Sequence, residues 1–305
     1  MSTQTKSTMF LSDLTVVDHA YIDNRGNVVG GSFNPSFFVT GEIDPIEQVV
    51  VDFSAIKKQI KQIIDDKETG FDHKLWWIDG FSEGKVYITP DFVQPHACEI
   101  VTPTTTLYMP TNAVKVFTGT SYSTHYIGQQ MGKLVEDGLR VLHPGVNITV
   151  ECVNNTNCHT PTAITSAALF RYAHGLKDST SWGCKNIAHG HLSYIQLLPH
   201  SPQAMSLALT VAEAIDDTIF IFRDNIVHED AEHITIEYVT EERGRFYGDY
   251  KKAAYHIIVL DTETTVEHLV DYVADRFRSK LTEAGVTTVL VSEGLSKGAC
   301  MTLSA

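Results

Sequence analysis

The sequence predicts an α+β chain made of two tandem units, and three observations predict it. Strand-like and helical patterns follow one another in the same order in both halves of the 305 residues. The closing parts of the halves superpose without a gap, since His125 to Glu151 lies over Glu267 to Glu293 at a constant offset of 142. Earlier landmarks pair at slightly larger offsets, His19 with His174 and Asp72 with Asp224. Each copy closes as helix, short loop, apolar strand, Glu. Weak identity with a shared order of elements implies duplication of one unit, built of antiparallel strands with two helices on one face.

The elements follow in order. Residues 49–65 (VVVDFSAIKKQIKQIID) read as a short strand running into a helix. Val49 to Val51 are β-branched, Ser54 is a candidate cap, and Ile56, Ile60, Ile63 and Ile64 recur at helical spacing. Residues 124–140 form a second helix through Ile127, Met131, Leu134 and Leu139. The segment 146–153 reads as a strand between turn residues. Residues 160–163 (TPTA) are the expected linker, which sets the units at 1–160 and 161–305. Beyond it come strands at 166–173 and 192–198, a helix at 204–217, strands at 218–223 and 233–239, a helix at 265–281 and a strand at 286–292.

Charge narrows the partners. Lys+Arg number 23 and Asp+Glu 37, a formal charge of −14. Phosphate neutralisation needs a basic surface, so nucleic acid is excluded as a partner. An anionic membrane surface is excluded for the same reason. No apolar run reaches the roughly 18 residues of a membrane helix. The first residues lack the charged-then-apolar layout of a secretory signal, and the five cysteines are scattered. Reduced thiols in a cytoplasmic protein are therefore expected.

The chemistry concentrates at Cys184-Lys-Asn-Ile-Ala-His189-Gly190-His191, with His174 ten residues before the cysteine. In a strand, residues i and i+2 share a face, so His189 and His191 point the same way. His174 ends the preceding strand-like stretch and can complete a three-His site. Three neutral imidazoles fit Zn2+ and leave a fourth position open to substrate. Cys184 has three readings: an inert buried thiol, a fourth zinc ligand, or a base or nucleophile beside the metal. Asp72-His73 is a plausible proton-transfer pair, but an isolated Asp-His pair reads first as a surface turn. The HEDAEH run at 228–233 spaces its histidines five apart, off one helix face. Gly30-Gly31-Ser32 lacks the pattern of a phosphate loop, and Trp76-Trp77 reads as packing.

His174, Cys184 and His189-Gly190-His191 together resemble the zinc and cysteine signature of the 6-pyruvoyl-tetrahydropterin synthase / 6-carboxy-tetrahydropterin synthase family. GEIDPIEQVVVDFSAIKKQIKQIID with FDHKLWW resembles its strand, helix and Asp-His segment. TTVEHLV at 264–270 and VSEGLSKGA at 291–299 resemble its Thr-x-Glu-Asn helix start and its pterin-anchoring Glu strand. The resemblance implies two tandem tunnelling-fold units, with four-stranded antiparallel sheets closing into an oligomeric β-barrel. It further implies a homodimer or homotetramer.

It also implies a divided site. The second unit carries the metal ligands His174, His189 and His191 together with Cys184, but has Asp224-Asn225 where Asp-His is expected. The first keeps Asp72 and His73, while Val29-Gly30-Gly31-Ser32 stands where its metal pair would be and only His19 remains of the ligands. The implied substrate is 7,8-dihydroneopterin triphosphate, with Cys184, Asp72 and His73 catalytic and Glu293, Thr265 and Glu267 binding substrate. His268 replaces the family's Asn, and Glu151 holds the place of Glu293 in the first unit. The expected product is 6-carboxy-tetrahydropterin, on a 7-deazaguanine (queuosine-type) route. The alternatives are elimination to 6-pyruvoyl-tetrahydropterin and a non-catalytic pterin- or metal-binding member. A urate-oxidase-like enzyme fits less well, since that family needs no metal. A triphosphate on so acidic a chain requires a locally positive pocket, for which Lys74, Arg171, Lys177 and Lys185 are the candidates.

Overall fold

The computed structural model describes residues 6–46, 48–89, 97–144, 146–154 and 167–303. The expected linker at 160–163 lies outside the described residues. The chain folds into two compact units, one of residues 1–17, 33–72 and 123–159, the other of 18–32, 73–122 and 160–305. The chain thus passes between units repeatedly.

The elements begin with β1 (Lys6–Leu11), β2 (Val17–Ile22), β3 (Val28–Phe33), β4 (Pro35–Glu42) and α1 (Phe53–Ile64). Next come β5 (Lys74–Asp79), β6 (Lys85–Thr89), β7 (Ala97–Val101), β8 (Thr105–Pro110), β9 (Val114–Thr118), α2 (Thr124–Leu142) and β10 (Thr149–Asn154). The later part contains β11 (Ala168–His174), β12 (His189–Leu198), α3 (Pro202–Glu213), β13 (Thr218–Phe222) and β14 (Ile226–Glu229). It closes with β15 (His233–Thr240), β16 (Gly244–Lys251), β17 (His256–Leu260), α4 (Val266–Arg276), α5 (Arg278–Glu283), β18 (Thr288–Glu293) and β19 (Lys297–Thr302). The molecule is α+β, as the alternation of patterns predicts.

The first unit holds the antiparallel sheet β1-β4-β10 and helices α1 and α2. Ile56, Ile60 and Ile64 form the buried stripe of α1, one turn apart. Its cap is Asp52, whose Oδ1 accepts from the Ala55 N–H at 2.9 Å, and not Ser54, which donates to the same carboxylate. No strand forms at 49–51, because the Val49 carbonyl closes a turn by accepting from the Asp44 N–H at 2.8 Å. In α2, Gly128 and Gly132 face β10. A Cβ on Gly128 would lie 2.5 Å from the Cys152 carbonyl oxygen, so these glycines set the close approach of helix to strand.

The second unit holds three sheets, ordered β3-β2-β5-β9, β17-β13-β11-β12-β18-β19 and β14-β15-β16-β8-β7-β6. Uniformly antiparallel four-stranded sheets were expected. Instead β13 lies parallel to both β11 and β17, and β5 lies parallel to both β2 and β9. The cause is the helical crossover. β12 runs back along β11, and α3 carries the chain across to the other edge of β11, where Thr218 and Ile219 meet Tyr172 and Ala173 in the same direction. The face of the β11-β12 sheet that carries Phe170, Tyr172 and Leu197 buries Ala208 and Val211 of α3 and Val270 and Val273 of α4. The expected long helix at 265–281 breaks at Phe277 (φ −110°, ψ 12°), separating α4 from α5. No described helix is long and apolar enough to cross a membrane.

Candidate metal and catalytic site

β11 and β12 are antiparallel neighbours whose register places His174 opposite His189 and Tyr172 opposite His191. His189 and His191 alternate onto one face of β12, and the hairpin register brings His174 to them. All three imidazoles are buried, and one nitrogen from each lies within 4.8 Å of the others.

Two of the outer nitrogens are hydrogen-bonded. His174 Nδ1 donates to the Thr264 carbonyl at 2.8 Å, and His189 Nδ1 to the Asn186 carbonyl at 2.9 Å. His191 Nδ1 stands 3.3 Å from Asp18 Oδ2. Each Nε2 is thereby left with its lone pair, and His189 Nε2 is buried with no hydrogen-bond partner among the described residues. Nε2 of His174 and Nε2 of His191 are 3.2 Å apart. Two neutral acceptors that close repel unless a cation or proton lies between them. Tetrahedral zinc with Zn–N bonds of about 2.0–2.1 Å spaces its nitrogens about 3.3 Å apart. The donor set, the orphaned Nε2 and this spacing fit a zinc ion.

Burial pushes His174 down to about 3 and His189 well below the usual imidazole range, with neighbouring histidine charge adding to the effect. Both rings are therefore neutral at pH 7.

Cys184 sits in a one-turn helix at Gly183–Lys185, and His73, Cys184 and His189 form a second group of mutually close ligand atoms. Burial raises the thiol. The hydrogen bond and charge of His73, with a hydrogen bond to Ser181, outweigh it and leave Cys184 below its ordinary value. His73 has φ +53°, in the left-handed region, and its N–H donates to the Asp18 carbonyl at 2.7 Å. Its own carbonyl accepts from Asn186 Nδ2 at 3.1 Å. Gly183 makes room for it, since a Cβ there would lie 2.7 Å from His73 Cβ.

The remaining expected residues are placed as follows. Glu293 ends β18 with Oε1 3.8 Å from His191 Nε2 and Oε2 2.9 Å from Lys297 Nζ. Burial raises Glu293, and the charges of His191 and Lys297 bring it below the usual range. Thr265 is the N-terminal residue flanking α4, without a side-chain cap bond, and Glu267 is exposed in the first turn. It is Thr264, one residue earlier, that touches the cluster. Asp72 belongs to the first unit, where burial raises Asp65 and the charge of Asp72 adds to that rise. His228 and His233 of the HEDAEH run take separate partners, Asp230 and Asp249.

Of the four expected basic residues, Lys74 is buried and Lys185 pairs with Glu242 at 2.8 Å. Lys297, which was not among them, is the cation on Glu293. His19 does not join the cluster. It stacks on Trp76 with ring centroids 3.5 Å apart, and its Nε2 lies 2.9 Å from the Tyr122 hydroxyl. Cys98 and Cys152 are buried and pushed up to about 12, as expected of inert thiols. Sequence reasoning missed Asp18, Thr264, Asn186 and Lys297. Asp18 and Thr264 are direct chain neighbours of His19 and Thr265, the only signal they carry.

No family model matches the chain, and no curated protein matches it. Among solved structures it is similar to 6-pyruvoyl tetrahydropterin synthase from Plasmodium vivax, at 16% identity over 50% of this chain and 94% of that one, with a TM-score of 0.38. The enzyme of the same name from Plasmodium falciparum matches at 17% identity over 48% and 90%, with a TM-score of 0.35. An uncharacterized protein from Wolinella succinogenes matches at 13% identity over 45% and 96%, with a TM-score of 0.31. Scores this low, at these identities, establish no shared activity.

Proposed function

We propose that the chain is a zinc-dependent lyase of 7,8-dihydroneopterin triphosphate that forms 6-carboxy-tetrahydropterin and releases acetaldehyde. The observation that carries the reading is the convergence of His174, His189 and His191 with Cys184 and His73 in one buried cluster. The sequence motifs at these positions supply the substrate class. His174, His189 and His191 would hold the zinc. When bound, it supplies Lewis acidity to the substrate's side-chain hydroxyls.

The residues do the rest. Cys184, held as a thiolate beside protonated His73, is the base for a carbon-bound proton, and His73 can return its own proton to the substrate. Asp72, next to His73 in the chain, is assigned to the same transfer on the sequence resemblance. Glu293 is kept ionised by its ion pair with Lys297, and an ionised carboxylate can accept two hydrogen bonds from a pterin's N–H and amino groups. Thr265 and Glu267 are assigned to the pocket by motif alone.

The reading takes residues 1–160 as a tunnelling-fold unit that has lost its metal ligands and 161–305 as one that keeps them. Two chains would supply four units to a closed barrel, as a homodimer or a stacked homotetramer. Scattered thiols support a cytoplasmic location. The test is His73→Ala, assayed for acetaldehyde and for metal. Turnover should vanish with zinc content unchanged. Loss of zinc in that variant overturns the division of roles, and 6-pyruvoyl product without acetaldehyde overturns the choice of reaction.

A further inference from the structure

We propose that Asp18 is the positioning residue of this site, its carboxylate fixing the imidazole of the metal ligand His191 and its backbone carbonyl fixing His73. The proposal rests on the zinc reading above and deepens it. His191 Nε2 faces His174 Nε2 at 3.2 Å, so Nε2 is the atom with the lone pair and Nδ1 carries the proton. A buried N–H needs an acceptor. An acceptor within reach is Asp18 Oδ2, an ion-pair contact at 3.3 Å, and Nδ1 is otherwise buried without a well-aligned hydrogen bond among the described residues.

The carboxylate is itself held. Asp18 Oδ1 accepts from Ser32 Oγ at 2.6 Å, and the same Oγ accepts from the Leu192 N–H at 3.0 Å, one residue beyond His191. Gly294, at φ +66°, leaves the space that Asp18 fills, because a Cβ there would lie 2.7 Å from Oδ1. Ser32 of the Gly-Gly-Ser run thus has a task unrelated to phosphate. The other two ligands lean on neutral carbonyls, those of Thr264 and Asn186. Asp18 is the one anion behind an imidazole here, and a carboxylate in that place raises the basicity of a ligating histidine and fixes its tautomer. Through its own carbonyl, which accepts from the His73 N–H at 2.7 Å, the same residue places the partner of Cys184.

The test compares purified full-length wild type, Asp18→Asn and Ser32→Ala by zinc competition against a chromophoric chelator, with thermal melts of the chelated proteins alongside. Asp18→Asn keeps the shape and the backbone carbonyl but removes the charge, and should weaken zinc binding about 10- to 100-fold. Ser32→Ala frees the carboxylate to rotate and should weaken binding by a smaller factor. The melts of the metal-free proteins should stay close together, as a merely structural role for Asp18 would not allow. Unchanged affinity in Asp18→Asn overturns the proposal while leaving the zinc reading intact. If Asp18→Asn does not fold, wild-type affinity in Ser32→Ala overturns it instead. A wild type that binds no zinc overturns the zinc reading first and this inference with it.

Discussion

The guanidinium carbon of Arg243 lies 3.8 Å over the Trp182 ring, and its Nη1 donates to the Trp182 carbonyl at 3.0 Å. Trp182 stands two residues before Cys184. From the same β15–β16 hairpin, Tyr238 donates to the Lys185 carbonyl at 3.1 Å, and Glu242 pairs with Lys185 Nζ. The loop bearing the thiol is therefore gripped on both sides of Cys184 by one hairpin.

Arg243→Ala should release that grip. The loss combines a cation–π contact, worth roughly 0.5–2 kcal/mol, with carbonyls left short of a charged donor. A destabilisation of about 2 kcal/mol is expected in urea melts. The reaction rate of Cys184 with iodoacetamide should change several-fold, because the thiol no longer holds its place beside His73, while zinc content stays at the wild-type value. An unchanged alkylation rate would show that the loop keeps its geometry without the clamp.

Zinc should stabilise the folded chain. A ligand that binds only the native state adds about 2.7 kcal/mol at a hundredfold excess over its dissociation constant. Scanning calorimetry with and without added Zn2+ should show a rise in Tm of several degrees. In His189→Ala the rise should disappear, since His189 belongs to both close groups of ligand residues. A zinc-dependent rise of wild-type size in that variant would exclude the three-His site.

Acid should act through the same rings. His174 titrates near 6.5 when unfolded and is pushed by burial to about 3 in the folded chain, with His189 moved in the same direction. Between those values the unfolded state binds more protons, so stability rises with pH across this window and is fully present above about 6.5. Metal-free protein should lose on the order of 1 kcal/mol per pH unit through His174 as pH falls below 6.5, with His189 acting in the same direction. Urea midpoints measured in chelator from pH 7.5 to 4.5 give the slope. A flat profile would mean that the rings are reachable by water.

Parts of this site were legible in the sequence for a physical reason. His189 and His191 sit two apart, and strand alternation alone puts them on one face. His174 follows because a hairpin register needs only a turn between two strand-like stretches. Asp18, Thr264 and Lys297 were not legible, because their contacts depend on which strands neighbour one another, and hydrophobic periodicity carries no pairing order. The parallel placement of β13 and β5 escaped for the same reason. His19 shows the converse. It pairs with His174 as a landmark, yet Trp76 takes it into an aromatic stack, a fate its own spacing does not reveal.

Gly30 and Gly190 make the last prediction, because they lie back to back where backbones meet. A Cβ on Gly190 would stand 2.6 Å from Gly30 Cα, and a Cβ on Gly30 only 2.0 Å from the Tyr172 carbonyl oxygen. Tyr172 is the register partner of His191, so this contact lies directly behind the histidine cluster. Backbone cannot yield as a side-chain tip can, so Gly30→Ala must push β11 away. Overpacking of this kind costs typically about 1–3 kcal/mol and sometimes more. Gly30→Ala should therefore lower the urea midpoint clearly and weaken zinc binding with it, because the displaced strand carries His174. Gly285→Ala is the control. Its φ of +67° is strained for alanine, but no atom lies within 4 Å of the added carbon. It should cost about 1–2 kcal/mol and leave zinc affinity untouched. Equal zinc affinity in Gly30→Ala and wild type would show that the close approach of these strands does not govern the ligand geometry.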